Sequence, residues 1–178
     1  DLIVQAWYQG GISILDWTDP ASPFEIGYFD RGPISPTALV LGGFWSGYWY
    51  NGNVYGGEIA RGLDVLELVP TDQLSANEIA AAKTVHLDEH NAMSMRRITW
   101  APSFEVVRAH RDQAERAGTI DPNDLRRLDT FLDRAEEFRT GPRARAAVAN
   151  LDAIATQMRN LGHHALADAI AALADSLR

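Results

Sequence analysis

Two patterns of apolar positions divide the chain. Up to about residue 69, short runs of Val, Ile, Leu, Trp and Tyr alternate with polar or Gly positions, and turn residues bound each run. That period of two predicts strands at Leu2–Tyr8, Ile12–Trp17, Phe24–Phe29, Trp45–Tyr50, Asn53–Gly57 and Leu63–Leu68. Asn51-Gly52 lies between two runs, and both residues tolerate the positive φ of a type I′ hairpin turn. Asp19-Pro20-Ala21-Ser22-Pro23 forms a second turn between strands.

Beyond residue 70 the period changes to that of a helix. Ser75-Ala76-Asn77-Glu78 is a capping box opening a short helix to about Lys83, and a less regular stretch follows to Ala101. Helices are then expected from Pro102 to Ala117, Asp121 to about Arg139, Arg143 to Asn160, and His163 to Leu177. Gly118, Gly141-Pro142 and Gly162 interrupt them. Phe104 and Val107, Leu125, Leu128, Leu132 and Phe138, Leu151, Ile154 and Met158, and Leu166, Ile170 and Leu173 recur at helical spacing, the signature of a buried stripe. Four helices joined by short Gly/Pro turns imply an up-and-down bundle. The fold class expected is therefore α+β in two segregated parts. Residues 1–70 are sheet, 71–101 a connector with a short helix, and 102–178 a helical bundle.

The strand region also repeats. VQAWYQGGISILD, from Val4, aligns with VYGGEIARGLDVLE, from Val54, if one extra residue is allowed in the second copy. Gly11–Asp16 then falls on Gly62–Glu67 at an offset of 50 to 51. A several-stranded unit recurring every ~40–50 residues is the mark of a β-propeller blade. Gly10-Gly11, Ile12-Ser13-Ile14-Leu15-Asp16, Asp19-Pro20 and Gly27-Tyr28-Phe29 together resemble the LVIVD-repeat proteins of bacteria, a group of β-propellers. The resemblance implies that residues 1–70 are terminal blades, completed by upstream blades or another chain. The helical tail, with Gly118-Thr119-Ile120, Gly141 and the closing AIAALADSLR, resembles the FIMAH-type module of bacterial surface and secreted enzymes. That implies a surface-located attachment role with no active site of its own, and an extracellular, cell-surface or periplasmic location. Asp1 in place of Met, with a strand starting at once, reads as a cut through a longer protein.

Composition narrows the chemistry. No Cys is present, which removes disulfides, thiolate catalysis and Cys-ligated metals. A net charge of −8 argues against nucleic acid as partner, and no apolar run approaches the ~18 residues of a membrane span. Nearly all basic residues are Arg, concentrated after residue 70 among many acids, the pattern of an ion-paired helix surface. No nucleophile elbow, phosphate loop or zincin motif occurs. Two lesser candidates remain. His86, Asp88 and His90 would bring two imidazoles and a carboxylate together around a divalent metal if the stretch were helical. The other is the aromatic cluster Phe44, Trp45, Tyr48, Trp49 and Tyr50, with Trp7 and Tyr8. Strand alternation there puts Trp45 and Trp49 on one face, a platform for a glycan or protein partner. The reading that follows is a non-enzymatic, exported binding or scaffold protein with no catalytic residues. Its rivals are an enzyme, hydrolase or lyase, whose active site lies in upstream blades, and a metal-binding protein using His86, Asp88 and His90.

Overall fold

The structure is a computed structural model that describes residues 2–178. Six strands precede five helices: β1 (Leu2–Ala6), β2 (Ile12–Asp16), β3 (Phe24–Phe29), β4 (Phe44–Tyr50), β5 (Asn53–Glu58), β6 (Gly62–Glu67), α1 (Ala76–Lys83), α2 (Phe104–Arg116), α3 (Pro122–Glu137), α4 (Ala144–Asn160) and α5 (His164–Ser176). The chain is thus α+β with its strands and helices segregated, as the change of period requires. It divides into two compact units, one ending at Thr99 and the other running from Trp100 to Arg178.

In the first unit the strands form two open antiparallel sheets, β1-β2-β3 and β4-β5-β6. Neither closes on itself, and a complete propeller is not present among the described residues. The pairing shows how the repeat is built. Leu2 pairs with Asp16 and Ala6 with Ile12; Asn53 pairs with Glu67 and Gly57 with Leu63. Every member moves by the same 51 residues, so the β1-β2 and β5-β6 hairpins match without the extra residue that sequence alignment alone calls for. Their loops end on equivalent left-handed glycines, Gly11 at φ +82° and Gly62 at φ +96°. The same shift carries β3 onto residues 75–80, where the capping box at Ser75 opens α1 instead of a strand. Asn51 and Gly52 both have positive φ, so the β4-β5 turn has the backbone that its sequence predicts.

The two sheets stack through Val4, Ile12 and Ile14 on one side and Phe44, Val54 and Leu66 on the other. Glycine makes close approach possible. A Cβ on Gly47 would lie 3.1 Å from Val4, and one on Gly56 2.8 Å from Ile12. A second small cluster joins Ile26 of β3 to Leu74 and to Ile79 of α1.

In the second unit, α2 to α5 share one apolar core. Val107, Leu128, Leu132, Leu151, Ile154, Met158, Ile170 and Leu173 are essentially fully buried there. α4 packs on α3 and α5, and α2 packs on α3 and α5. The first helix opens on Ser103, whose hydroxyl accepts from the Val106 N–H, so the preceding Pro102 lies outside the helix that the sequence would start there. Asp121 caps α3 through the Asn123 N–H, with Pro122 at the first position. Gly118 and Gly162 take positive φ directly after α2 and α4, as helix-ending glycines do. Phe138 is the exception to the expected stripe: it falls at the end of α3, under the Arg143 guanidinium at 5.0 Å, and not in the core. Outside the core, Arg111 binds both carboxylate oxygens of Asp129 at 3.0 and 2.9 Å and also Glu115, while Arg108 reaches Glu136 at 2.6 Å. These are the ion pairs that the Arg-rich, acid-rich sequence implies. Among the described residues no helix is long and apolar enough to cross a membrane.

Candidate functional site

One edge of the site is the β1-β2 loop. Ala6 and Ile12 close the hairpin, and the five residues between must turn back. Trp7 N–H donates to Gly11 O, Gly10 N–H to Trp7 O and Gly11 N–H to Tyr8 O, winding the loop tightly. That geometry forces Tyr8 to φ +53°, a region costing a non-glycine residue about 1–2 kcal/mol. It persists because surrounding bonds over-determine it. Tyr8 also forms an antiparallel bridge with Phe44 at the start of β4, its N–H donating at 3.2 Å and its carbonyl accepting at 2.9 Å.

The bridge requires the chain to pass very close at Gly43. Its φ is +83°, and a Cβ there would collide with the Tyr8 carbonyl. Glu58 holds this glycine in place. It is the one buried charged side chain among the described residues, 5% exposed. Its Oε1 accepts from the Gly43 N–H at 2.9 Å, and its Oε2 accepts from the N–H groups of Ala60 and Arg61. Arg61 adds an ion pair at 3.3 Å. Burial pushes the Glu58 carboxyl up, but the three backbone donors and the Arg61 charge outweigh it and leave the group below the usual glutamate range. Glu58 thus ties the β5-β6 loop to the entry of β4.

The consequence is an aromatic corner. Trp45 projects outward, 61% exposed, and meets the Tyr8 ring edge-on with centroids 5.4 Å apart. Beside it Gln9 donates to the Val40 carbonyl, and Val40 and Leu41 are exposed. Two amphipathic rings on a fixed backbone, next to apolar surface, can stack on a sugar face or on an aromatic or aliphatic partner side chain.

Trp49 does not share this surface. A β-bulge between Phe44 and Ser46 shifts the register of β4 against β5 and inverts the alternation. Phe44 therefore faces inward at one end of the strand and Trp49 inward at the other, packed on the intersheet core, while Trp45 is expelled. The two tryptophans that simple alternation places together are separated by that one extra residue. Tyr8, which no periodicity singles out, takes the place of Trp49 as the neighbour of Trp45. The sequence places it in the aromatic cluster, but only the Gly10-Gly11 pair hints at the tight loop that presents it. Glu58 is the residue that the sequence reading misses, because it lies in a Gly-Gly-Glu stretch that reads as an ordinary strand end.

The other sequence candidates lie elsewhere. α1 ends at Lys83, so His86, Asp88 and His90 are not helical, and their spacing does not place two imidazoles on one face. His86 and Asp88 are exposed. His90 instead turns edge-on to Tyr48 at 5.4 Å and lies against Tyr50 at 5.6 Å. Asn51 pins the same segment by bonding both the N–H and carbonyl of Leu87. Among the described residues no three His, Asp or Glu side chains converge to hold a metal ion. An apolar groove of about 630 Å³ runs between the sheets, lined by Ile14, Phe29, Leu66, Leu68 and Leu74, with Asp30, Glu67 and Thr71 contributing its polar groups. In the helical unit a cleft of about 420 Å³ is bordered by His110, His163 and His164. His163 occupies the N-cap of α5 but makes no side-chain cap bond.

No family model matches the chain, and no curated protein or solved structure matches it significantly.

Proposed function

We propose that the chain is a non-enzymatic, exported bacterial binding or scaffold protein. In this reading its two sheets are consecutive blades of an LVIVD-type β-propeller, and its four long helices form a FIMAH-like attachment bundle. The exposed Tyr8–Trp45 pair is its ligand platform, and the ligand is a glycan or a protein surface. The observation that carries the proposal is the aromatic pair itself: two large rings left in solvent on a backbone bent into an unfavourable conformation to hold them. The blade assignment is supported by two hairpins of identical register 51 residues apart and by sheets stacked face to face. Further blades of the same repeat, or another chain, complete the stack.

The test is a glycan array and an immobilised-peptide array read with the wild-type chain, followed by titration of tryptophan fluorescence with any hit. Trp45→Ala and Tyr8→Ala are each expected to abolish binding at unchanged far-UV circular dichroism. Binding undiminished in both variants removes the platform. An enzyme whose active site lies in upstream blades would turn over the hit only in a protein that carries those blades.

A further inference from the structure

The 51-residue shift has a consequence for the sheet faces. The face of the first sheet that packs on the second carries Val4, Ile12 and Ile14. Shifted by 51, these become Tyr55, Leu63 and Val65, which lie on the opposite, outward face of the second sheet, where Leu63 is 67% and Val65 56% exposed. The same relation holds in the other direction. Val54 and Leu66, the inward residues of the second sheet, correspond to Ile3 and Leu15 on the outward face of the first. That outward face is widened by Tyr28, 77% exposed, and by Trp7, whose Nε1 donates to Ser13 Oγ across it.

Among the described residues the two sheets share one packed interface, and the opposite face of each repeats the packed side of the other, with Ile3 and Leu15 half-buried and Leu63, Val65 and Tyr28 exposed. The outward face of the second sheet copies the first sheet's packed side; the outward face of the first copies the second's. Gln5 and Ser13 are the departures, standing where the packed side has Gly56 and Asp64. Gln5 donates its amide to the Ala6 carbonyl, and its Cβ holds a neighbouring sheet farther off than Gly56 does in the packed interface. The segment at Leu87 and His90 covers the second sheet's free face only at its Tyr48–Asn51 end, leaving Leu63 and Val65 in solvent.

We propose that a second copy of this chain occupies these faces. The outward side of β1-β2-β3 in one copy seats on the outward side of β4-β5-β6 in the next, continuing the intersheet interface from molecule to molecule. This rests on the reading of the sheets as equivalent blades. The contact is head-to-tail, because each copy offers two different faces, and so it builds rings or open filaments.

The experiment is sedimentation velocity over a concentration series, on the full chain and on two single-face variants. Val65→Glu blocks the second sheet and Leu15→Glu the first; Tyr28→Asp, at a more exposed site, serves if Leu15→Glu lowers the circular dichroism. The wild-type chain should sediment above its 19.6 kDa monomer mass, increasingly so with concentration. Each variant alone should stay monomeric. An equimolar mixture should form a dimer and nothing larger, because one free face survives on each partner. A wild-type chain that is monomeric throughout overturns the second copy. So does undiminished association of either folded variant, or a mixture that stays monomeric. The blade reading is judged separately, by whether Gly47→Val, whose side chain would enter the intersheet contact, destabilises the monomer.

Discussion

Replacing Gly43 by Ala tests the mechanism that seats Trp45. The glycine sits at φ +83°, where an L-residue costs about 1–2 kcal/mol. Its new methyl would also meet the Tyr8 carbonyl, so the two strands must separate and the Tyr8–Phe44 bridge must open. That removes two backbone hydrogen bonds worth about 1 kcal/mol each in net stability. The expected cost is about 3–4 kcal/mol, a large share of the ~5–15 kcal/mol that holds a typical domain together. Gly32→Ala is the control: its φ of +76° carries the same conformational cost, but nothing lies within 4 Å of the added carbon, so about 1–2 kcal/mol is expected. Both are measured by urea denaturation followed through tryptophan emission, to which Trp7, Trp17, Trp45 and Trp49 contribute from the sheet unit. If Gly43→Ala costs no more than Gly32→Ala, the close approach does not constrain the molecule and the account of the corner fails.

Three further expectations follow from the same geometry. Trp49→Ala should cost about 3 kcal/mol as a truncation of the intersheet core, whereas Trp45→Ala should stay within about 0.5–1 kcal/mol; equal costs in urea melts would contradict the bulge. Glu58 has a folded pKa below its unfolded value, so its stabilisation is fully present above the ordinary glutamate pKa of about 4.3 and disappears as pH falls through the lower folded value. The sheet unit should accordingly lose stability on acidification below about pH 4, and Glu58→Gln should flatten that part of the profile; an unchanged slope would remove Glu58 from the clip. In the helical unit Leu132→Ala, at a fully buried position, should cost about 2–5 kcal/mol in melts monitored by helical circular dichroism, and a loss under about 1 kcal/mol would argue against the shared core.

Much of the architecture was legible in the chain. The strands and helices begin and end within a few residues of where periodicity puts them, because apolar spacing and caps such as Ser75 and Asp121 act locally. The left-handed glycines after α2 and α4 and the Asn51-Gly52 turn are local for the same reason. The repeat too was visible, although its uniform shift of 51 emerged only once strand register replaced similarity of residue type.

The candidate site was not legible in this way. Alternation pairs Trp45 with Trp49, but a single unpaired residue in β4 reverses the faces, and a bulge belongs to the pairing of β4 with β5 and not to the spacing within β4. Tyr8 gains its importance from Phe44, and Glu58 from Gly43, partners 36 and 15 residues away. His86 and His90 form a pair only on a helix, and their segment is instead irregular backbone pinned at Leu87 by Asn51. The sequence by itself determined which segments are strand or helix, where they turn and that two hairpins are copies, since each depends on residues a few positions apart. Which aromatic ring stands in solvent, which carboxylate is buried and which sheet faces stay open were decided by tertiary packing, because each requires two distant stretches of backbone to meet.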